Sequence, residues 1–388
     1  MTKDRVNVEN IVAFAQEMIR TPSRAYEDDP ENIVGVIQEW ADQHSLHLHL
    51  LEDPEGRSLG GYFHYTSGKP GPVICLDACV DTCSFGAEET WDYPPTSAKI
   101  EGDHLHGRGA ADAKTGASIF CHIFEEITKQ NLDRGEVYVL LDADEHTGNF
   151  GGVKAFLKKQ RKIDMAFLGY PGNKEIFLGA RGFLRSTISV YGQGAHSGSR
   201  KPTKDNALLR TAQLISMISE APLPEESSPD FPFGPKVTVT AINGGEGFSQ
   251  VPDKVEINVD MRLTPGFDRT AGNIWLRKIV ENFDASHPGS PPSAIAYNES
   301  WPCYALPHTH PAAAGLKEQA EKVFSHPVSL AVCGPSNIGN LLAEHNIPTI
   351  CGFGVDYANA HGANETARIS SIEPVYTAYY NTIKTLCS

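Results

Sequence analysis

Four short segments carry residue types capable of acid, base or metal chemistry: Cys79-Val-Asp81, Gly107-Arg-Gly-Ala-Ala-Asp-Ala-Lys114, Asp144-Glu-His-Thr-Gly148 and Ala360-His-Gly-Ala-Asn364. Each holds a carboxylate or an imidazole beside glycine or another small residue. Such neighbours let the backbone turn sharply, and N and O donors suit a hard or borderline divalent cation. Taken singly, Asp112, Glu145 and His361 read as caps and surface groups, since capping aspartates are common. Four such segments in one chain favour a metal site. The stretch Cys75-Leu-Asp-Ala-Cys-Val-Asp-Thr-Cys83 raises a different chemistry, a thiolate cluster. Its spacing lacks the paired C-x2-4-C units of zinc sites. The preceding Pro72-Val-Ile-Cys-Leu76 reads as a buried strand, whose alternating side chains are not expected to let three thiols converge.

These segments must be held by an alternating framework. Apolar spacing predicts helices over 8–19 and 31–43, strands over 59–65, 72–77, 136–142 and 164–168, and helices over 114–129 and 151–159. That alternation predicts an α/β layer with a mainly parallel sheet, and the four chemical segments fall in loops after strands, where open sheets place their sites. From about residue 183 the texture changes to a strand (Phe183–Tyr191), a helix (Asp205–Ser219), two strands (Lys236–Ile242 and Lys254–Leu263) and a helix (Thr270–Phe283), an α+β order of ferredoxin-like kind. After Trp301 the first texture returns, with helices over 311–323 and 373–386 around Pro348-Thr-Ile-Cys351. The expected fold is therefore an α/β catalytic domain, residues 1–182 and 300–388, interrupted by a smaller domain, 183–299. A proline-rich loop over 221–235 lies inside the insert.

At 388 residues two domains are the natural division, and 40% hydrophobic content can build both cores. A net charge of −15 argues against nucleic acid and anionic membrane surfaces. The start Met1-Thr-Lys-Asp-Arg-Val has no apolar signal core and no run reaches the length of a membrane span, so a cytoplasmic location is expected. In that compartment the eight cysteines are expected to be thiols.

Over nearly its whole length the chain resembles the aminoacylase, acetylornithine deacetylase and carboxypeptidase G family of dinuclear zinc hydrolases. The stretch from Gly107 to Gly116 is similar to the family's bridging-aspartate motif, which implies that Asp112 bridges metal. Asp144-Glu-His-Thr-Gly stands where the family has Asp-Glu-Glu-x-Gly; the resemblance makes Glu145 the general base and puts His146 in place of a glutamate ligand. Ala360-His-Gly-Ala-Asn-Glu365 matches the last ligand histidine, implying His361. Gly194-Ala-His-Ser-Gly198 resembles the insert motif whose histidine, here His196, stabilises an oxyanion, often across a dimer interface. Arg262 stands where many members hold the substrate carboxylate, and Asn337 falls near a loop with a substrate-facing polar residue.

The chain departs from that pattern at two places. The family strand ends in His-x-Asp, and the register that keeps the aspartate pairs Cys79 with the histidine and Asp81 with the orienting aspartate. Where the family has a carboxylate before proline, Tyr170 stands in Gly169-Tyr-Pro-Gly172. A phenol titrating near pH 10 is a poor ligand at neutral pH. Both changes fall on one family metal position, while Asp112, His146 and His361 remain for the other. Three protein ligands and an open coordination place suit hydrolysis, so one zinc or manganese ion per chain is expected. A ligating His146 needs an acceptor for its second ring nitrogen.

The implied activity is metal-dependent hydrolysis of a C–N bond in a small carboxylate-bearing substrate, with Glu145 as base, His196 and Asp81 in support, and Arg262, Tyr170, Asn337 and Cys79 toward the substrate. A homodimer or higher homo-oligomer through the insert is expected by the same resemblance. A narrower alternative is replacement of an aromatic amine by hydroxide, as in the similar nitroanthranilate aminohydrolase branch. The contrasting class is a binding protein that kept the fold and lost its metal; retention of Glu145, which has no evident structural task in the sequence, argues against it.

Overall fold

The computed structural model describes residues 6–159, 162–200, 205–225 and 231–388. Met1–Arg5, most of the stretch considered for a signal sequence, and residues 226–230 of the proline-rich loop lie outside them. The chain forms two compact units: Met1–Gly179 with Leu306–Ala331 and His345–Ser388, and Ala180–Ala305 with Val332–Glu344.

In the first unit a six-stranded sheet runs in the order His49–Glu52, Ser58–Thr66, Glu136–Asp142, Val73–Cys79, Met165–Leu168, Thr349–Ile350. The first two strands are antiparallel to their neighbours, and the other four are mutually parallel. The central strand Val73–Cys79 is covered on both faces. Ile74, Leu76 and Ala78 enter the main core with Ile119, Phe120 and Ile123 of the helix Lys114–Gln130. Tyr62, Tyr138 and Phe156 pack edge to face elsewhere in the unit. A fully buried side chain such as Phe120 contributes about 2–3 kcal/mol, so the strand ends that carry the site rest on a firm base.

The helices begin where the chain supplies a cap. Asn7 and Asp29 accept backbone N–H bonds ahead of Val8–Arg20 and Pro30–Gln43, and Pro30 fits the first turn because no intrahelical bond needs its missing N–H.

In the second unit the strands Lys236–Asn243, Lys254–Leu263, Gly182–Tyr191 and Ala294–Trp301 form an antiparallel sheet in that order. Helices Ala207–Glu220 and Arg269–Ala285 share its apolar core through Leu214, Ile218, Leu276 and Phe283. The β-α-β-β-α-β succession is ferredoxin-like. Its fourth strand, Ala294–Trp301, was missing from the sequence reading. The strand has only small or polar residues between Ile295 and Tyr297 and around them, and a register break between Tyr297 and Ser300, which blur its alternation.

Cys75 and Cys79 lie four residues apart and therefore share a face of their strand. Separation along the strand, about 13 Å at the usual rise, keeps them from one ion.

Candidate metal centre

The site forms at the carboxyl ends of the parallel strands. Val73–Cys79 delivers Cys79 and, just beyond, Asp81; Glu136–Asp142 leads into Asp144–His146; Met165–Leu168 leads into Tyr170. Asp112 arrives on the turn that opens the helix Lys114–Gln130. Gly109 in that turn has φ +86°, and a Cβ there would come within 2.8 Å of the Lys114 side chain, so glycine is required. Lys114 itself is buried and ties the turn to the end of the first helix through the carbonyls of Met18 (2.8 Å) and Thr21 (2.9 Å). Burial lowers its pKa to about 7.

The Asp112 carboxylate divides its two oxygens. Oδ2 faces two imidazoles, 2.8 Å from His361 Nε2 and 3.8 Å from His146 Nε2. Oδ1 faces the Cys79 thiol, which donates to it over 3.7 Å. Burial opposes the charge on Asp112, but the His361 hydrogen bond and the facing imidazoles prevail, and its pKa stays below the ordinary value. His361 lies in a turn at φ +64° and is 59% exposed at its side chain, whereas the other members of the cluster are largely enclosed.

His146 has the acceptors that a ligand imidazole needs. Its Nδ1 lies 3.2 Å from Glu145 Oε2 and 3.4 Å from Asp81 Oδ1. With the proton held at Nδ1, the Nε2 lone pair is directed to the Asp112 side. Asp81 also receives the backbone N–H groups of Glu145 (3.2 Å) and His146 (2.8 Å). It therefore shapes the Glu145–His146 turn as well as the ring. Burial works against a charged His146, yet the Asp81 hydrogen bond and the surrounding carboxylates raise its pKa to about 10.

Glu145 is buried, which together with the charges of Asp112 and Asp81 raises its pKa to about 7 against the opposing effect of His146. Tyr170 donates to Glu145 Oε1 over 2.7 Å. Burial and the Glu145 charge hold this phenol well above its usual pKa, so Tyr170 is a neutral donor to the acid. The neighbouring carboxylate, Asp144, is used structurally: its Oδ2 accepts from Gly151 N (3.0 Å) and Asn149 Nδ2 (3.3 Å), at the start of Gly151–Lys159.

Glu365 is the residue whose task the sequence left unread. It is buried, accepts from the N–H groups of Ala111 (2.9 Å) and Asp112 (3.1 Å), and pairs with Arg108 Nη1 at 2.6 Å. One carboxylate thus fixes the loop of His361 to the loop of Asp112. The signal available was Glu365 four residues after a candidate ligand, with Arg108 four before another.

The other histidines near Asp112 in sequence are occupied elsewhere. His122 is inside its helix, 5.3 Å from the Trp40 ring, with Nδ1 on the Ser118 carbonyl; His104 and His106 lie in a short strand paired with Thr366–Arg368.

The remaining sequence candidates belong to the second unit. His196 is exposed, and its Nδ1 accepts from Gly198 N at 3.0 Å, which places the proton of the neutral ring on Nε2. Arg262 pairs with Asp260 (2.8 Å), donates to Ser336 Oγ (3.2 Å) and stands directly across the sheet from Lys236. Arg262, Asp260, Lys236 and Arg181 line a cavity of about 360 Å³ rich in positive charge. Asn337 is buried and accepts from Gly339 N at 2.9 Å, so its oxygen closes a turn.

The donor set suits a divalent cation: Cys79, Asp112 and His146 offer donor atoms within 4.8 Å of one another, while the expected ligand His361 touches Asp112 Oδ2 but falls outside that mutual group. A parallel-sheet unit carrying such a centre beside a buried glutamate, with a ferredoxin-like insert, has the layout of a metal-dependent hydrolase. Within that class the chain belongs to peptidase family M20/M25/M40, which it matches over residues 77–385. It is 23% identical over 383 residues to a succinyl-diaminopimelate desuccinylase of Parvibaculum lavamentivorans, across 96% of this chain and 94% of that one. An M20 metallo-carboxypeptidase of Sulfolobus solfataricus has the same fold, with a TM-score of 0.79 at 17% identity, covering 97% of this chain and 99% of that one. A dinuclear metal-binding M20 peptidase of Bacillus subtilis follows at 0.72 and 13% identity, with 98% of each chain covered. No helix among the described residues is long and apolar enough to cross a membrane.

Proposed function

We propose that the protein hydrolyses a C–N bond, foremost an amide, in a small carboxylate-bearing substrate, using one divalent ion held by Asp112, His146 and His361. The observation that carries this reading is the pair of imidazole Nε2 atoms turned to one Asp112 oxygen beside a buried Glu145. A bound zinc or manganese ion would supply Lewis acidity and make water a nucleophile near neutral pH. Glu145 takes the proton from the attacking water and delivers it to the leaving nitrogen, and its pKa near 7 suits both transfers. Tyr170 orients the glutamate through Oε1. Asp81 holds the His146 ring and the turn beneath it. By the family resemblance, His196 Nε2–H would meet the negative charge that develops on the substrate, and Arg262 would receive its carboxylate. The desuccinylase name borne by the relative at 23% identity supports an N-acylated substrate.

The reading places two chains together through residues 183–299, so that His196 of one serves the site of the other. Glu145→Gln is expected to retain metal and substrate binding while turning over at least about a hundredfold more slowly. Mixing Glu145→Gln with His196→Ala should restore activity, because a mixed dimer holds one intact pairing. Full turnover by Glu145→Gln on a substrate of the wild type would overturn the mechanism.

A second reading, hydrolysis of an activated aromatic amine, is favoured by one observation: Tyr170 is bonded to Glu145 at the position where the resembled family has a carboxylate ligand for a second ion, the ion that would help polarise a carbonyl. Product analysis separates the two, since amide hydrolysis releases a carboxylate and an amine whereas the aromatic reaction releases ammonia and a phenol.

A further inference from the structure

The thiol of Cys79 has no role in the one-ion site just described. Its strand ends at this residue, and its side chain is 1% exposed on the face that carries the site. Sγ lies 3.7 Å from Asp112 Oδ1, and the donor atoms of Cys79, Asp112 and His146 fall within 4.8 Å of one another, close enough to surround a single ion. Among the described residues this is the one histidine, cysteine and carboxylate grouping of that kind. Of the eight cysteines, Cys79 alone belongs to it. The phenol of Tyr170 is bonded to Glu145 instead.

We infer that Cys79 is a thiolate ligand of the bound ion and makes the centre selective for a borderline-soft cation, zinc or cobalt, over manganese and magnesium. The inference rests on the reading that this site holds metal. On binding, the Cys79 S–H bond breaks, its proton leaves to solvent and a sulfur–metal bond forms, with no change in oxidation state. With Asp112 and His146 the thiolate makes three protein donors, which would leave a place for water on zinc, while His361 lies outside this grouping. Manganese gains little from sulfur, so the selectivity resides in this side chain.

Cobalt(II) tests the assignment in the full-length protein without recourse to activity. The cobalt-loaded wild type should show sulfur-to-cobalt charge-transfer absorption in the near ultraviolet beside its visible ligand-field bands. Cys79→Ser should lose the former and keep the latter, and Cys83→Ser should keep both. Cys79→His preserves a ligand should the serine variant fold poorly, and it too should bind cobalt without the charge-transfer band. In competition titrations Cys79→Ser should lower zinc affinity by about 100-fold, at or beyond the cost of losing a second-sphere partner, with manganese affinity changed by less than about threefold. Cobalt bound to the wild type without the band, or a band that survives in Cys79→Ser, would refute the ligand role and leave the one-ion reading standing. No cobalt bound to the wild type would refute both.

Discussion

The two sides of the Asp112 carboxylate differ in kind. Around Oδ2 stand two imidazoles, one exposed at the mouth and one enclosed, and the enclosed ring is backed by Asp81 and Glu145. Around Oδ1 stands a buried thiol, and the phenol of Tyr170 is turned to Glu145. The first side offers N and O donors alone. The second offers a thiol and a phenol in place of hard donors.

The sharpest way to break this contrast is to remove what the sides share. Asp112→Ala should leave no ion bound after dialysis, measured by elemental analysis, and activity should fall to background. Metal bound at wild-type stoichiometry would show that the carboxylate is not the hub.

Acid should act next most strongly, and on the imidazole side. Empty, the site keeps His146 protonated up to about pH 10, and Asp112 raises the pKa of His361 as well. An ion must displace those protons, so affinity rises with pH. The expected change is about tenfold per pH unit for each proton released, read by calorimetry in buffers of different ionisation enthalpy. A flat affinity between about pH 6 and pH 8 would contradict the protonated empty site.

Glu365→Gln tests whether the contrast depends on the clamp between loops. The amide oxygen can keep both N–H bonds from Ala111 and Asp112, but the charge that pairs with Arg108 is lost. Metal affinity should drop by about 10- to 100-fold, as for other supporting groups around metal sites, and the fold should remain by circular dichroism.

The smallest effect belongs to the phenol of Tyr170. Tyr170→Phe should leave metal stoichiometry unchanged. The phenol's hydrogen bond lowers the pKa of Glu145, against the burial that raises it. Its removal should therefore move the acidic limb of the activity profile upward, because the base must be ionised to act. Loss of the ion in this variant would make Tyr170 a ligand and undo the comparison.

Much of this arrangement was legible in the chain itself. The alternation of strand and helix predicted the parallel sheet and the position of the candidate segments just beyond its strands, because apolar periodicity is a local property. The change of texture near residue 183 announced the insert. Its edge strand Ala294–Trp301 was not legible, since its pattern is diluted by small and polar residues. The partners of the site were harder still. Glu365 lies 253 residues from the backbone N–H of Asp112 that it binds. Nothing local to either segment specifies that bond.

The sequence by itself determined the residue types: a carboxylate and two imidazoles suited to a divalent ion, a glutamate suited to proton transfer, and a thiol and a phenol at the two departures from the family pattern. Tertiary structure decided how they are shared. It gave Tyr170 to Glu145, Asp144 to a helix start, Asp81 to His146, and the thiol of Cys79 to the second oxygen of Asp112. The physical reason is that a side chain's chemistry travels with its residue, whereas its pKa and its partner depend on burial and on groups brought near by chain segments hundreds of residues apart.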